Sequence, residues 1–410
     1  MRALLFRKSI PRYVVLKALG RRAPQILTRR ILPVSLRDVA EPSLPNAQWL
    51  RLRPRLSGVC GSDLATIWAT GSPYLAPVIS MPFVLGHELV GTVQELGNEV
   101  TGLAIGDRVV LHPALGCRVR GIEPMCDACS DQRDALCRNV TRGDISAGIQ
   151  TGYCRDTGGG WGESLVAHHS QVYKVPAQMS DTVAVLTEPF ACALHAALRV
   201  RPKANDTVLV IGCGSIGLLT IAALRATGCT SRIVASSKHE HQTALARRMG
   251  ADVVIPATGL LGQRYAAWAR ELDADVLDPE LGKPMVIGGA SVTFDCVASS
   301  QSIDDAVRFT RSNGTLVLVG MPGMPSGVDW TPMWYKELTV RATYAYGPES
   351  VGDRRIDTFE LALDLLGEWG PKVSPLVGDP FELTDFHKAL DCATYTGRSG
   401  VAKTVFAVNP

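Results

Sequence analysis

A short apolar run followed at once by three spaced glycines constrains the fold of this 410-residue chain more than any other feature. Thr207–Ile211 is continuously apolar apart from its first residue, which is typical of a parallel strand buried on both faces. The segment Gly212-Cys-Gly214-Ser-Ile-Gly217 follows, and residues 218–227 have helical character. Glycines between a buried strand and a helix predict a dinucleotide-binding turn.

Each position of this turn has an expected role. Gly212 permits the tight turn, Gly214 lets the backbone approach a pyrophosphate, and Gly217 lets the helix pack closely on the sheet. Ser215 and Ile216 open the helix, whose N-terminus favours an anion. An ordinary glycine turn is the alternative, and the strand–helix setting disfavours it.

Strands and helices continue to alternate after this turn, which predicts a doubly wound parallel sheet. Residues 232–236 and 251–255 are the next predicted strands. Residues 256–290 are long for one connection, and we expect a surface insertion with one helix near 263–272. Residues 35–176 instead contain many short strands broken by Gly and Pro, which predicts a separate β-rich domain.

The end of the second strand of the parallel sheet indicates the cofactor. NAD sites usually carry an acid there, which hydrogen-bonds the ribose. Here Ser237 occupies that position and Lys238 and His239 follow, while Glu240 is a later acid that remains a candidate. A hydroxyl beside a cation suits a 2′-phosphate, so we expect NADP(H) to be preferred, with NAD(H) as the alternative.

Three cysteines downstream of a Cys/His/Glu group predict two metal sites. Cys126, Cys129 and Cys137 have the C-x2-C-x7-C spacing that offers thiolates to one tetrahedral zinc ion. The second group consists of the segments Ser57-Gly-Val-Cys60-Gly-Ser-Asp63 and Gly86-His87-Glu88. Buried or disulfide-bonded cysteines are the alternative, which the spacing disfavours.

Together these segments resemble the zinc-dependent medium-chain dehydrogenase/reductase superfamily, which includes alcohol and polyol dehydrogenases. The resemblance extends over residues 34–408 and implies a GroES-like catalytic domain with a Rossmann domain. We expect the catalytic domain to comprise residues 1–178 and 345–410, with a basic insertion at about 8–33, and the Rossmann domain to comprise residues 179–344. The implied activity is hydride transfer between an alcohol or polyol, or the matching carbonyl compound, and a nicotinamide cofactor.

By that resemblance, Cys60 and His87 are catalytic zinc ligands, and the carboxylate ligand is either Glu88 or Glu188. Asp63 is implied to orient His87, and Ser62 to hydrogen-bond the substrate oxygen and pass the alcohol proton towards solvent. Two further functions remain open. One is a metal-independent alkene or quinone reductase of the same fold. The other is a non-catalytic zinc- and nucleotide-binding scaffold or redox sensor.

The structural zinc site departs from the family pattern, in which four cysteines follow C-x2-C-x2-C-x7-C. Glu123 stands where the first cysteine is expected, and Cys117 lies upstream of it. We expect Cys117 to be the fourth ligand, because closed zinc sites are mostly cysteine-rich, with Glu123 as the alternative. The other cysteines are interpreted as packing residues: Cys154, Cys192, Cys213, Cys229, Cys296 and Cys392.

The composition of the chain limits the kinds of partner that we expect it to bind. A net charge of +3 does not suggest a nucleic-acid partner, and no apolar run approaches the ~20 residues of a membrane span. The first 37 residues are basic without an acid, which we interpret as an exposed insertion, with targeting or membrane docking as the alternative. Scattered cysteines favour a reducing compartment, so we expect a cytoplasmic enzyme, and relatives suggest a homodimer or homotetramer.

Overall fold

The computed structural model describes residues 1–19 and 31–409 of the chain. Within these residues it confirms the predicted α/β class, with a β-rich part and a six-stranded parallel sheet. No helix of the described part is both long and apolar enough to cross a membrane.

The strands of the described residues are given in chain order. They are β1 (Arg2–Phe6), β2 (Val34–Asp38), β3 (Trp49–Gly58), β4 (Phe83–Val84), β5 (Leu89–Leu96), β6 (Arg108–Leu111), β7 (Leu165–His168), β8 (Val172–Lys174), β9 (Thr207–Ile211), β10 (Arg232–Ser237), β11 (Val253–Pro256), β12 (Ala274–Leu277), β13 (Met285–Gly288), β14 (Ala290–Asp295), β15 (Thr310–Leu318), β16 (Thr339–Ala342), β17 (Pro348–Val351), β18 (Arg354–Asp357), β19 (Phe381–Glu382) and β20 (Val405–Ala407).

The helices are numbered in the same way. The α-helices are α1 (Ile10–Leu19), α2 (Gly61–Ile67), α3 (Asp127–Ser130), α4 (Asp181–Ala184), α5 (Thr187–Arg199), α6 (Ser215–Ala226), α7 (Glu240–Met249), α8 (Leu261–Leu272), α9 (Ser300–Phe309), α10 (Thr331–Tyr335), α11 (Thr358–Val373), α12 (Phe386–Thr394) and α13 (Thr396–Ser399). Short 3₁₀ helices span Pro73–Val78, Asp134–Leu136, His169–Gln171, Ser374–Leu376 and Leu383–Asp385.

The β-rich part is built around the long strand β3. A seven-stranded sheet has the order β19-β20-β3-β5-β6-β8, with β7 also paired to β3, and a three-stranded sheet has the order β2-β1-β4. The C-terminal β20 pairs antiparallel with β3, placing Val405 opposite Gly58. The end of the chain therefore returns to the first sheet, beside the Cys60 loop.

The parallel sheet has the order β11-β10-β9-β14-β15-β16, and all of its pairings are parallel. Strands β9 and β10 are buried over nearly their whole length, as expected of strands covered on both faces. The carboxyl ends of β9 and β10 lie side by side, so the glycine turn and Ser237 share one edge of the sheet.

The prediction of a surface insertion at 256–290 is wrong in one respect. Helix α8 is not peripheral, because Tyr265, Trp268 and Leu272 are buried in the core of the parallel sheet. Their helical spacing places them on one inward face. A hairpin of β12 and β13 follows, which the sequence analysis did not predict.

The predicted domain boundaries near 178 and 345 stay predictions. Beyond 345 the chain makes the hairpin β17–β18 and helix α11 before it reaches β20. Of the predicted basic insertion, the structure describes α1 and the residues from 31 onward. The rest lies outside the described residues.

Candidate active site and metal centres

The first cluster forms where β3 ends and α2 begins. Cys60 directly precedes α2, and its N–H donates to Asp63 Oδ2 at 2.9 Å. The second carboxylate oxygen, Asp63 Oδ1, lies 3.5 Å from Nδ1 of His87, and both side chains are buried. One short helix therefore brings a thiol to the loop that carries an imidazole, and places an acid behind that imidazole.

Cys60, His87 and Glu88 together offer a sulfur, a nitrogen and an oxygen that lie within 4.8 Å of one another. Burial opposes a positive charge on His87, but Asp63 and Cys60 outweigh it and raise the pKa of His87 well above its ordinary value. Surroundings that favour a proton at this position also favour a metal cation. This donor set fits zinc, which binds thiolate, imidazole and carboxylate.

Glu88 has a cationic partner that the sequence analysis missed. Lys403 Nζ is in ion-pair contact with Glu88 Oε2 and donates to the carbonyl of Val59 at 3.2 Å. Burial opposes the charge on Lys403, but Glu88 and Cys60 compensate, so the pKa of Lys403 is raised. The negative charge of Glu88 is therefore already balanced within the protein.

Glu188, in the first turn of α5, is buried near this cluster but outside the set of three. Its Oε1 accepts from the hydroxyl of Tyr346 at 3.3 Å and lies 3.6 Å from Cys192 Sγ. Burial raises the pKa of Glu188 to about 7, with His87 opposing and Glu88 adding to the shift. The direct partners of Glu188 are neutral, unlike the lysine that faces Glu88.

A cysteine and a tyrosine also contact the side chains of this cluster. Cys192 was interpreted as a packing residue, yet its thiol faces a candidate metal-binding carboxylate. Ser62 is half-buried one turn before Thr66, whose hydroxyl lies 3.1 Å from that of the buried Tyr153. Burial, reinforced by Asp63, raises the pKa of Tyr153, so its phenol stays neutral. Tyr153 and Cys192 had no recognisable motif.

The second cluster contains the four buried cysteines Cys117, Cys126, Cys129 and Cys137, whose sulfur atoms lie within 4.8 Å of one another. Cys117 donates its N–H to Cys129 Sγ at 3.3 Å, and Cys126 donates its N–H to Cys117 Sγ at 3.4 Å. Such donors stabilise thiolates, and hydrogen bonds from neighbouring thiols lower the pKa of Cys137 to about 5. Glu123 is exposed and outside this group. The arrangement fits a closed Cys₄ zinc site.

Arg120 holds the insertion that brings Cys117 to this cluster. The side chain is fully buried, and its guanidinium donates to five backbone carbonyls. Those carbonyls belong to Leu115, Arg142, Ile145, Ser146 and Gly148. A planar guanidinium with five donors suits such a junction. The extra residues between Cys117 and Cys126 are therefore tied to the loop that follows the site.

The glycine turn has the geometry of a nucleotide loop. Gly212 has φ 92°, a backbone conformation that favours glycine, and a Cβ on Gly217 would lie 1.8 Å from the carbonyl oxygen of Gly212. A Cβ on Gly214 would meet nothing within 4 Å, so open space lies before α6. The hydroxyl of Ser215 donates to the carbonyl of Ala402 at 3.0 Å, and Ile216 follows it in α6.

The predicted ribose-reading residues differ in exposure. Ser237 is buried at the end of β10, with its hydroxyl 2.5 Å from that of Thr243. Lys238 is exposed, and Glu240, the first residue of α7, is exposed as well. No acid stands at the end of β10 itself.

Comparison with known families identifies the fold and the chemistry together. Residues 46–177 match the family described as alcohol dehydrogenase GroES-like domain, and residues 215–367 match the family described as zinc-binding dehydrogenase. The chain belongs to the zinc-dependent medium-chain dehydrogenase/reductase superfamily. Within this superfamily the β-rich part is the GroES-like domain and the parallel sheet is the Rossmann domain.

The individual relatives of this medium-chain dehydrogenase are dehydrogenases as well. It is 27% identical over 352 residues to L-idonate 5-dehydrogenase of Vitis vinifera, covering 85% of this chain and 86% of the relative. It is 29% identical over 364 residues to L-threonine 3-dehydrogenase of Escherichia fergusonii, covering 88% and 93%. The structure of galactitol-1-phosphate dehydrogenase from Escherichia coli shares the fold, with a TM-score of 0.72, 22% identity, and coverage of 99% and 100%. The chain is therefore an oxidoreductase of the alcohol and polyol dehydrogenase type.

Proposed function

We propose that this enzyme holds a catalytic zinc through Cys60, His87 and one carboxylate, and a structural zinc through its four clustered cysteines. We also propose that it transfers hydride between an alcohol or polyol and NADP(H), in preference to NAD(H). The observation that carries the proposal is the convergence of Cys60, His87 and Glu88 within 4.8 Å, beside the buried Glu188.

Each side chain of the active site has its own role in the proposed reaction. Zinc, when bound, supplies a Lewis acid that stabilises negative charge on the substrate oxygen. Asp63 faces Nδ1 of His87, which leaves Nε2 as the ligand atom. The hydroxyl of Ser62 accepts the alcohol proton and passes it towards solvent. The buried cluster excludes water from the reacting groups.

The cofactor preference rests on charge at the end of β10. Ser237 and the exposed Lys238 present a hydroxyl and a cation where an NAD site usually has a carboxylate. A 2′-phosphate gains from a nearby ammonium group, whereas a carboxylate would repel it.

We also propose a cellular compartment and an oligomeric state for the enzyme. All eleven cysteines are free, including the seven outside the four-cysteine cluster, which supports a reducing compartment such as the cytoplasm. We propose a homodimer or homotetramer. A metal-independent reductase is disfavoured by the Cys/His/Glu cluster, and a non-catalytic scaffold by the Ser62–Asp63 pair beside it.

The test combines zinc content with turnover. Purified enzyme is screened against alcohols, polyols and carbonyl compounds with both nicotinamide cofactors, and zinc is measured by elemental analysis. Cys60→Ser should abolish turnover and remove about one zinc per chain, while Cys229→Ser, a half-buried packing position, should change neither. Ser62→Ala should lower kcat by about 10²–10⁴-fold with cofactor binding retained. Full turnover in Cys60→Ser would refute the proposed catalytic metal site.

A further inference from the structure

Helix α1 carries a feature that hydride transfer does not use. One side of the helix is fixed to the protein, because Leu16 is only 1% exposed and packs in a cluster with Val59, Leu64 and Trp68. Every other side chain between Ile10 and residue 18 is exposed. The helix is therefore a surface helix whose orientation is set by the side that carries the buried Leu16.

The exposed side of α1 is apolar. Ile10 is 65% exposed and Val14 57%, and Val15 is exposed beside them. At about 100° per residue, Ile10, Val14 and Ala18 form one row that points away from Leu16. Surface helices normally direct their polar side to solvent, so this helix reverses the usual pattern.

Basic side chains border the apolar row. Helical spacing places the exposed Lys17 beside the row, next to Ile10, whereas Arg12 lies on the Leu16 side and donates to the carbonyl of Leu32 at 3.1 Å. Arg7 and Lys8, directly before the helix, are exposed as well. An apolar row flanked by cations is the pattern of a helix that lies in the interface of an anionic bilayer.

The basic residues of the whole chain are also concentrated near its N-terminus. Ten of the 42 Lys and Arg residues fall within the first 37 positions, which contain no Asp or Glu. The remaining 373 residues carry 32 basic and 39 acidic side chains, a net negative charge. The N-terminal region is therefore the basic part of an otherwise acidic chain, and its charge favours contact with an anionic surface.

We propose that α1 docks the enzyme on an anionic phospholipid bilayer. Ile10 and Val14 enter the boundary between headgroups and acyl chains, and Lys17, Arg7 and Lys8 reach the headgroups, as long basic side chains do at interfaces. A nucleic acid would pair with the basic side chains, but it provides no apolar phase for the row of aliphatic side chains. Because Leu16 belongs to the same buried cluster as Leu64 of α2, docking would hold the lipid surface against the domain that carries Ser62.

The experiment measures sedimentation of the full-length enzyme with lipid vesicles. Wild type should bind vesicles of phosphatidylcholine mixed with phosphatidylglycerol, bind pure phosphatidylcholine weakly, and dissociate as salt is raised. Ile10→Ser/Val14→Ser should reduce the partition coefficient about ten-fold or more. Arg7→Gln/Lys8→Gln should weaken binding and its salt dependence. None of these changes should alter the zinc content or thermal midpoint.

A matched control removes equally exposed aliphatic side chains elsewhere. Ile105 and Leu260 are 70% and 71% exposed, and Ile105→Ser/Leu260→Ser should leave vesicle binding unchanged. Absence of wild-type binding to the anionic vesicles would overturn the proposal. Undiminished binding by Ile10→Ser/Val14→Ser would overturn it too. Tight binding to duplex DNA that survives the same double change would assign the basic region to nucleic acid instead.

Discussion

At the scale of single residues, Glu88 and Glu188 differ in what already balances their charge. Glu88 faces the buried Lys403, whereas the hydrogen-bond partners of Glu188 within the described residues are a tyrosine and a thiol. A carboxylate without a cation beside it gains more from a metal ion. Glu188 is therefore the stronger candidate for the zinc ligand, and Glu88 the candidate for a structural ion pair.

The two carboxylates can be separated by paired substitutions. Glu188→Gln should lower zinc retention and turnover with a small change in thermal midpoint. Glu88→Gln should lower the unfolding free energy by about 3–5 kcal/mol, since it leaves Lys403 buried and unpaired. Zinc content, kcat and thermal unfolding of both variants provide the comparison. Zinc loss confined to Glu88→Gln would reverse the assignment.

The cofactor preference is also decided by single side chains. Ser237→Asp places a carboxylate at the end of β10, where it accepts hydrogen bonds from ribose and repels a 2′-phosphate. Charge-assisted contacts contribute roughly 1.5–3 kcal/mol, so the ratio of kcat/KM should shift about ten-fold or more towards NAD(H). A wild type that already strongly prefers NAD(H) would show that Lys238 remains in solvent and that another group, such as Glu240, reads the ribose.

At the scale of elements, the segment from Cys117 to Cys137 is the clearest departure from the family spacing. Its fold depends on the four-cysteine cluster and on the carbonyls gathered by Arg120. Cys117→Ser should lower the thermal midpoint and release one zinc, because the lost thiolate opens a closed site. Glu123→Gln should change neither quantity, since Glu123 is exposed. The opposite pattern in calorimetry and elemental analysis would make Glu123 the fourth ligand.

Local elements were predictable where periodicity and turn chemistry agree. The unit from β9 through Gly212 to α6 is one such case, because the glycines and the apolar run specify it without distant contacts. Lys403 was not predictable, since its contact with the carbonyl of Val59 spans 344 positions and only the pairing of β20 with β3 brings it there. The inward face of α8 was not predictable for the same reason. Its burial depends on packing against the assembled parallel sheet, which the local sequence does not indicate.

At the scale of the whole molecule, the two proposed metal sites differ in access. The four cysteines of one site are all buried, while Cys60 of the other is half-buried beside the partly exposed Ser62. A closed structural site should release its metal more slowly than a site with an open position for substrate. The two zinc ions should therefore leave the enzyme in sequence.

Dialysis against a chelator tests this order. The first zinc lost should carry away turnover while the thermal midpoint stays within a few degrees, and the second should be lost with unfolding, because structural zinc contributes directly to folding free energy. Zinc per chain, activity and calorimetry are measured on the same samples. Cys60→Ser, which should lack the first zinc, provides the matched control and should show only the slow phase. Simultaneous loss of activity and thermal stability in wild type would mean that the two sites are not independent, or that a single metal site maintains both.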